Sequence, residues 1–220
     1  MTRRRGLVVA VLLAAVTVAG IAFRYRDVRY DRFYLPAFDG HVYAAMAERP
    51  GFFTVAPWGY RVLTPWLVSL FPGNDVTPGF FWLTHLGMVA AGGLLFLYLR
   101  QLGHGVSASW LAVAVLLLSP PAWAILRYQV LVEPLSLVLE ILFLLALEAG
   151  AGLACLALLA TLGVLNKEFF LLLLPLVCLT RWRLGSRRAL LATGLVALPA
   201  GLAFLLLWLG WTSMPGTPLS

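Results

Sequence analysis

Only 11% of the residues in this chain are charged, so acids and bases set among apolar neighbours are where its chemistry would reside. A charge placed in a bilayer costs at least a few kcal/mol, and one that persists usually faces a cavity or a partner. Three places qualify. Asp39 stands close to His41 and Tyr43. A carboxylate there suits a general base acting on a hydroxyl. It would equally serve as the N-cap of a short helix, and the roles are compatible because a capping carboxylate can still face a cavity. Lys167-Glu168, preceded by Asn166, interrupts a long apolar block. A buried lysine requires an anion, either a protein carboxylate or a ligand phosphate. The competing reading is a turn whose long side chains snorkel to the outer headgroups. Glu133 and Glu140 fall on nearly one face of a helix. Glu140 is the candidate partner for Lys167, and a purely structural tie between two helices stands beside any catalytic role.

Other polar or small residues have plainer readings. His85 reads as an interhelical hydrogen bonder rather than a ligand. Cys155 and Cys178 lie in apolar blocks and read as small buried hydrophobes, without a disulfide or metal framework. The run Ala90, Ala91, Gly92, Gly93 suits close helix packing. No His/Cys/Asp spacing resembles a metal site, and phosphate-binding glycine loops, dinucleotide fingerprints and serine elbows are missing from the sequence. No cofactor is expected; a divalent metal is compatible with the chemistry, but no spacing indicates one.

The elements that must position these residues follow from length and hydropathy. The chain has 220 residues, 62% of them hydrophobic, and a mean hydropathy of +0.93. An ordinary soluble domain carries roughly 25% charged residues. Disordered chains, fibrous repeats and soluble enzymes are thereby excluded, and long apolar blocks predict an all-α, polytopic transmembrane helix bundle. This length allows six or seven membrane segments in a single transmembrane domain, residues 1–220, with no room for a soluble one. Sixteen Lys+Arg against nine Asp+Glu give a net charge of +7. In such a chain the basic excess is topogenic rather than a nucleic-acid footprint.

Arg3, Arg4 and Arg5 precede a first span, Gly6 to Phe23. A cleavable signal peptide competes, but the stretch is longer than the roughly 7–15 residues of a signal core. Residues 24–76 form an external loop with two short juxtamembrane helices. One is expected from Asp39 to about Glu48, the other from Thr64, with Pro65 at its first position, to Phe71. Their aromatic flanks suit a membrane interface. The second span is expected over Pro78–Leu99 with Thr77 as N-cap. The third runs from Ser107 to about Ala124, interrupted near Ser119-Pro120-Pro121, and the fourth from Pro134 to about Leu147. Residues 152–180 could form one helix or two. The arginines at 181, 183, 187 and 188 decide the question. Two short helices, Gly152–Leu165 and Phe169–Leu179, put that cluster on the cytoplasmic side with Arg3–Arg5 and Arg100. Asn166-Lys167-Glu168 then forms a turn below the outer surface. A last span, Ala189 to about Trp211, completes seven segments. The first external loop also holds arginines, among them Arg49 and Arg61, with five acids beside them.

The order of these features resembles a known family. The first external loop reads Phe38-Asp39-Gly40-His41-Val42-Tyr43-Ala44-Ala45-Met46-Ala47. Then comes Pro57-Trp58-Gly59-Tyr60-Arg61-Val62-Leu63-Thr64-Pro65-Trp66-Leu67. Later Leu165-Asn166-Lys167-Glu168-Phe169-Phe170 runs into Leu174-Pro175. Over most of residues 6–180 this resembles the bacterial integral-membrane glycosyltransferases of the GT-C superfamily. The resemblance implies a GT-C-like fold in the bacterial inner membrane, with its N-terminus cytoplasmic. It implies sugar transfer from a polyprenyl-phosphate donor on the external face. Asp39 would be the catalytic base; His41, Tyr43, Arg61, Glu133, Glu140, Lys167 and Glu168 would line the substrate site. Partners would be the polyprenyl-phosphate-linked sugar, membrane lipid and, given the short chain, a protein partner. Family members usually carry further spans and often an external domain. A chain of this length is therefore expected to be a minimal or truncated module, or one that has lost catalysis. The alternative function is non-catalytic: a lipid-binding partner subunit or a small transporter, though no internal repeat favours the latter.

Overall fold

The computed structural model describes residues 3–24, 38–50, 58–73, 75–182 and 185–212, and among them every regular element is helical. Helix α1 spans Arg3–Arg24. The loop after it contains α2, Phe38–Glu48, a 3-10 turn at Trp58–Tyr60, and α3, Leu63–Ser69. Both short helices expected in the first loop are present, but their starts differ. Asp39 lies inside the first turn of α2 rather than ahead of it. Thr64 does not cap α3, whose N-cap is Val62; the threonine hydroxyl is used elsewhere.

Helix α4 spans Thr77–Gln101. Thr77 is its first residue instead of its cap, and the Asp75 carboxylate accepts a 2.9 Å hydrogen bond from the Thr77 N–H. An acid serves well at this position because it satisfies a free amide at the positive end of the helix dipole. Helices α5, Val106–Leu118, and α6, Pro120–Tyr128, meet at a 52° bend. The cause is the Ser119-Pro120-Pro121 sequence: two prolines lack N–H donors and can only begin a new helix. The Ser119 hydroxyl accepts from the Ala122 N–H and caps α6. Helix α7 spans Glu133–Glu148 and α8 spans Leu153–Asn166.

At Lys167 the backbone turns extended, and Glu168–Leu173 continues as a 3-10 helix before α9, Pro175–Arg181. The expected break at Asn166-Lys167-Glu168 is present, but the expected second helix, Phe169–Leu179, is instead a 3-10 helix and a short α-helix, because Pro175 can only begin a new helix. The reversal depends on Gly163, because a Cβ there would overlap the Phe170 ring. With glycine, Phe170 folds back onto α8 and meets Phe143 edge-on at 5.3 Å. Helix α10 spans Ser186–Thr212.

Among the described residues, three helices are long and apolar enough to cross a membrane: Gly6–Phe23, Thr77–Gln101 and Ser186–Gly210. The bent α5–α6 pair makes a fourth if it counts as one span. Helices α7, α8 and α9 fall short of the roughly 20 residues of a full crossing.

The helices alternate in direction. Gly92 and Gly93 of α4 bring α1 close: Cβ atoms there would stand 3.2 Å from the Ala14 side chain and 3.0 Å from that of Val11. The small-residue run thus packs as its composition implies, letting backbones approach where bulk would hold them apart. Trp110 at the start of α5 donates to the Gly6 carbonyl, and Arg181 donates to the carbonyl of Ala151 in the α7–α8 turn. Hydrogen bonds from Thr84 to Gln129, and ion pairs across 61–168 and 133–167, gather the opposite end. Arg100 and Arg181 lie at the first end, and the charged residues singled out above lie at the second.

Two expectations about apolar-block residues are corrected. Cys155 is exposed and Cys178 half-exposed, both on the outer surface of short helices rather than in the core. A thiol on a face that meets lipid has no need of burial. His85 bonds its own helix, not a neighbour: Nδ1 lies 2.7 Å from the Phe81 carbonyl.

Candidate functional site

The first loop closes one end of the bundle. Val42, Tyr43, Met46 and Ala47 of α2 pack with Val68 of α3, Phe80 of α4 and the α6–α7 link at Val130 and Val132. This apolar plug fixes the loop and, with it, Arg61, which follows the 3-10 turn. The Tyr60 ring anchors that turn against Phe204 of α10 at 5.4 Å.

Arg61 is the hub. Its Nε and one terminal nitrogen donate to the two carboxylate oxygens of Glu168, at 2.9 and 2.6 Å. Its other terminal nitrogen donates to the Tyr43 hydroxyl at 2.7 Å and lies 4.0 Å from the Asp39 carboxylate. Planar, two-pronged pairing of this kind is the strongest geometry open to an arginine and a carboxylate. Arg61 is 9% exposed at its side chain and Asp39 is 35% exposed, so the guanidinium is committed while the aspartate stays open to the outside. Burial pushes the Tyr43 hydroxyl well above its ordinary pKa, and the Arg61 contact only partly counters this; Tyr43 remains a neutral phenol. Burial likewise pushes Glu168 upward, but the Arg61 hydrogen bonds outweigh it and hold the carboxyl below the usual range.

Lys167 pairs with Glu133, not with Glu140. Its ammonium stands 2.9 Å from one Glu133 oxygen, and the other Glu133 oxygen is buried without a hydrogen-bond partner among the described residues. The reason is axial position. Glu133 opens α7 at the level of the turn after α8, whereas Glu140 lies about 10 Å further along α7 at roughly 1.5 Å per residue. Glu140 feels the Lys167 charge only through space. His41 lies on α2, half-exposed, a short way from Tyr43.

Beneath the charges is a buried polar layer that the residue types alone did not single out. Asn166 is fully buried. Its amide nitrogen donates to the Val132 carbonyl at 3.0 Å and the Ser136 hydroxyl at 2.8 Å, and its oxygen accepts from Thr64 at 2.6 Å. One side chain thereby joins the first loop, the start of α7 and the end of α8. Thr84 of α4 donates to the carbonyl of Gln129 at 2.6 Å, and Gln129 adopts a positive φ of 50°, an uncommon backbone state for a residue other than glycine. The sequence signal for this layer was weak: Asn166 stood next to Lys167 and Thr64 was marked only as a helix start, but nothing marked Ser136 or Gln129.

The arrangement therefore unites Asp39, Tyr43, Arg61, Glu133, Lys167 and Glu168 at one end of the bundle and leaves Glu140 deeper. Arg61 has placed three of its five N–H donors on protein groups and is nearly buried. Lys167 has used one of three, and it is the cation better placed to take an anionic ligand. No group of three or more His, Cys, Asp or Glu among the described residues could hold a metal ion.

Fold and site together define a polytopic, all-helical protein of the membrane type, with a charged cluster at one end. No protein-family model, curated protein or solved structure matches the chain, and that class rests on the helices and the cluster themselves.

Proposed function

We propose that the protein is a GT-C-like membrane glycosyltransferase of six to seven membrane segments, transferring a sugar from a polyprenyl-phosphate donor on the external face. One observation supports the reading: among the described residues Asp39 makes no ion pair closer than 4.0 Å, and its side chain, 35% exposed, stays open beside Arg61. A base must be free to take a proton, while cations stabilise a departing phosphate. In this reading Asp39 deprotonates the acceptor hydroxyl and Lys167 holds the phosphate. Arg61 and Glu168, with the buried Tyr43 hydroxyl on Arg61, fix the loop that carries Asp39, and His41 flanks the sugar. The lipid chain lies in the bilayer beside the bundle.

The orientation follows from Arg3–Arg5, Arg100 and the arginines after Arg181, which belong in the cytoplasm. Single cysteines at 167 and 185, in a chain cleared of Cys155 and Cys178, test this with an impermeant reagent applied from outside. Labelling at 167 and protection at 185 is expected; the reverse would invert the topology and place the cluster on the wrong side.

Binding is tested with a fluorescent polyprenyl phosphate and the purified chain in detergent. A charge-assisted hydrogen bond contributes about 1.5–3 kcal/mol, so Lys167→Ala should weaken binding about 10- to 100-fold. Unfolding of the same variant measures the helix tie. If Lys167→Ala leaves affinity unchanged, and adding Glu133→Gln restores lost stability, the lysine is a structural partner of Glu133 and the phosphate assignment fails.

A further inference from the structure

The outward face of α6 is a second place where charge meets apolar surface. Ala122, Ile125 and Leu126 are buried, whereas Pro120, Trp123 and Arg127 are exposed, at the i, i+3, i+7 spacing of one helix face. This face borders a pocket of about 420 Å³, within the range of small-molecule sites, about 300–1,000 Å³. The pocket lies across the 52° bend at Ser119. Its lining is Leu118 of α5 with Pro120, Trp123, Ala124, Arg127 and Tyr128 of α6. None of these belongs to the charged cluster, and no carboxylate lines the pocket among the described residues.

The pocket is polar at one end and apolar at the other. Helices α5 and α6 together run from the Arg100 end of the bundle, where Trp110 donates to the Gly6 carbonyl, to the charged end, where Gln129 accepts from Thr84. Leu118 and Pro120 therefore lie toward the middle of the bundle. Arg127 lies toward the charged end, about 10 Å further along α6 than Pro120 at 1.5 Å per residue. The Arg127 guanidinium carbon stands 5.7 Å from the centre of the Tyr128 ring, a cation–π distance, so charge and phenol share the polar end. Leu118 and Trp123 are exposed and supply an apolar wall. These features select the occupant. A free anion leaves the apolar wall unused, and a plain hydrocarbon leaves the guanidinium unused. A zwitterionic headgroup brings an ammonium that no carboxylate on the lining receives. A phosphate carried on a hydrocarbon chain meets both ends: a guanidinium pairs with phosphate in a two-pronged fashion, and tryptophan and tyrosine favour the headgroup level.

We infer that the α5–α6 pocket holds an anionic phospholipid, its phosphate on Arg127 and the upper part of an acyl chain against Leu118 and Trp123. The site shares no residue with the charged cluster and does not depend on the transferase reading. The test uses the full chain in phosphatidylcholine nanodiscs containing a trace of photoreactive lipid. Two probes carry the same diazirine on the same acyl chain, one with a phosphatidylglycerol and one with a phosphatidylcholine headgroup. The anionic probe should cross-link to residues 118–128 about fivefold more than the zwitterionic one, the effect expected of one arginine near an anionic surface. Arg127→Gln should make the two probes equal on this segment, whereas Arg188→Gln, at the other end of the bundle, should leave the preference intact. Soluble glycerol phosphate at millimolar concentration should not compete, because it lacks the chain. Equal yields in the wild type, a preference retained in Arg127→Gln, or an anionic probe that misses residues 118–128 would each overturn the inference. Displacement by glycerol phosphate would overturn the lipid assignment in favour of a soluble anion. The wild-type comparison decides alone should the Arg127 variant not fold.

Discussion

Arg61→Ala is expected to lower stability by about 3–5 kcal/mol, the usual effect of removing one partner from a buried ion pair. The loss comes less from missing attraction than from what remains. Glu168 keeps its burial and loses both hydrogen bonds that offset it, and Tyr43 loses its arginine. A paired replacement, Arg61→Met with Glu168→Leu, should recover much of the loss, since apolar groups of similar volume leave no charge uncompensated. Chemical unfolding in detergent measures both. The pH dependence gives an independent check. In the wild type the folded-state pKa of Glu168 is depressed, so its contribution is fully present above the ordinary carboxylate value. That contribution is lost as pH falls toward the lower folded-state pKa. In Arg61→Met, burial, the largest influence, is opposed only by a backbone hydrogen bond and the Lys167 charge, so the carboxyl rises and the loss of stability in acid should shrink or reverse. An acid profile unchanged by the substitution would show that the two-pronged pair does not exist in the folded protein.

Asp39→Asn is expected to abolish transfer, by about 10²–10⁴-fold, the usual contribution of a positioned general base. Expression and thermal stability should stay near wild type. Two features make this a clean separation. Asp39 lies inside the first turn of α2, where Asn forfeits only the favourable interaction with the helix dipole, about 0.3–1 kcal/mol, and it stands 4.0 Å from Arg61, too far for a hydrogen bond whose loss would weaken the fold. The assay is transfer of labelled sugar from a polyprenyl-phosphate donor to acceptor, with unfolding recorded on the same preparation. Near-normal turnover in the Asn variant would reduce Asp39 to a helix-terminal residue. Loss of turnover together with loss of fold would point to a structural role through Arg61.

The sequence by itself determined the class of structure and the places where charge had to be explained. Apolar blocks too long for a soluble core predict helices in a membrane, and the helices at Gly6–Phe23, Thr77–Gln101 and Ser186–Gly210 are long and apolar enough to cross one. Prolines and glycines are local: they act on their own backbone wherever the chain goes. The break at Ser119-Pro120-Pro121 and the reversal at Asn166-Lys167-Glu168 could therefore be read directly. Pairing is not local. Glu133 and Glu140 share a helix face and a charge, and only the height at which α8 ends against α7 sets Glu133 beside Lys167. Thr64 has the composition of a cap, yet its hydroxyl goes to Asn166 across the bundle, because a buried amide demands partners more strongly than a helix end open to water. His85 was expected between helices, yet it bonds its own backbone, and its Nε2 has no partner among the described residues, since α1 faces it with alanines and valines that offer no donor. Residue types fix what each group can do; only the packing of helices around one another decides which groups meet, because contacts between distant segments depend on axial offset and rotation that no short stretch of sequence contains.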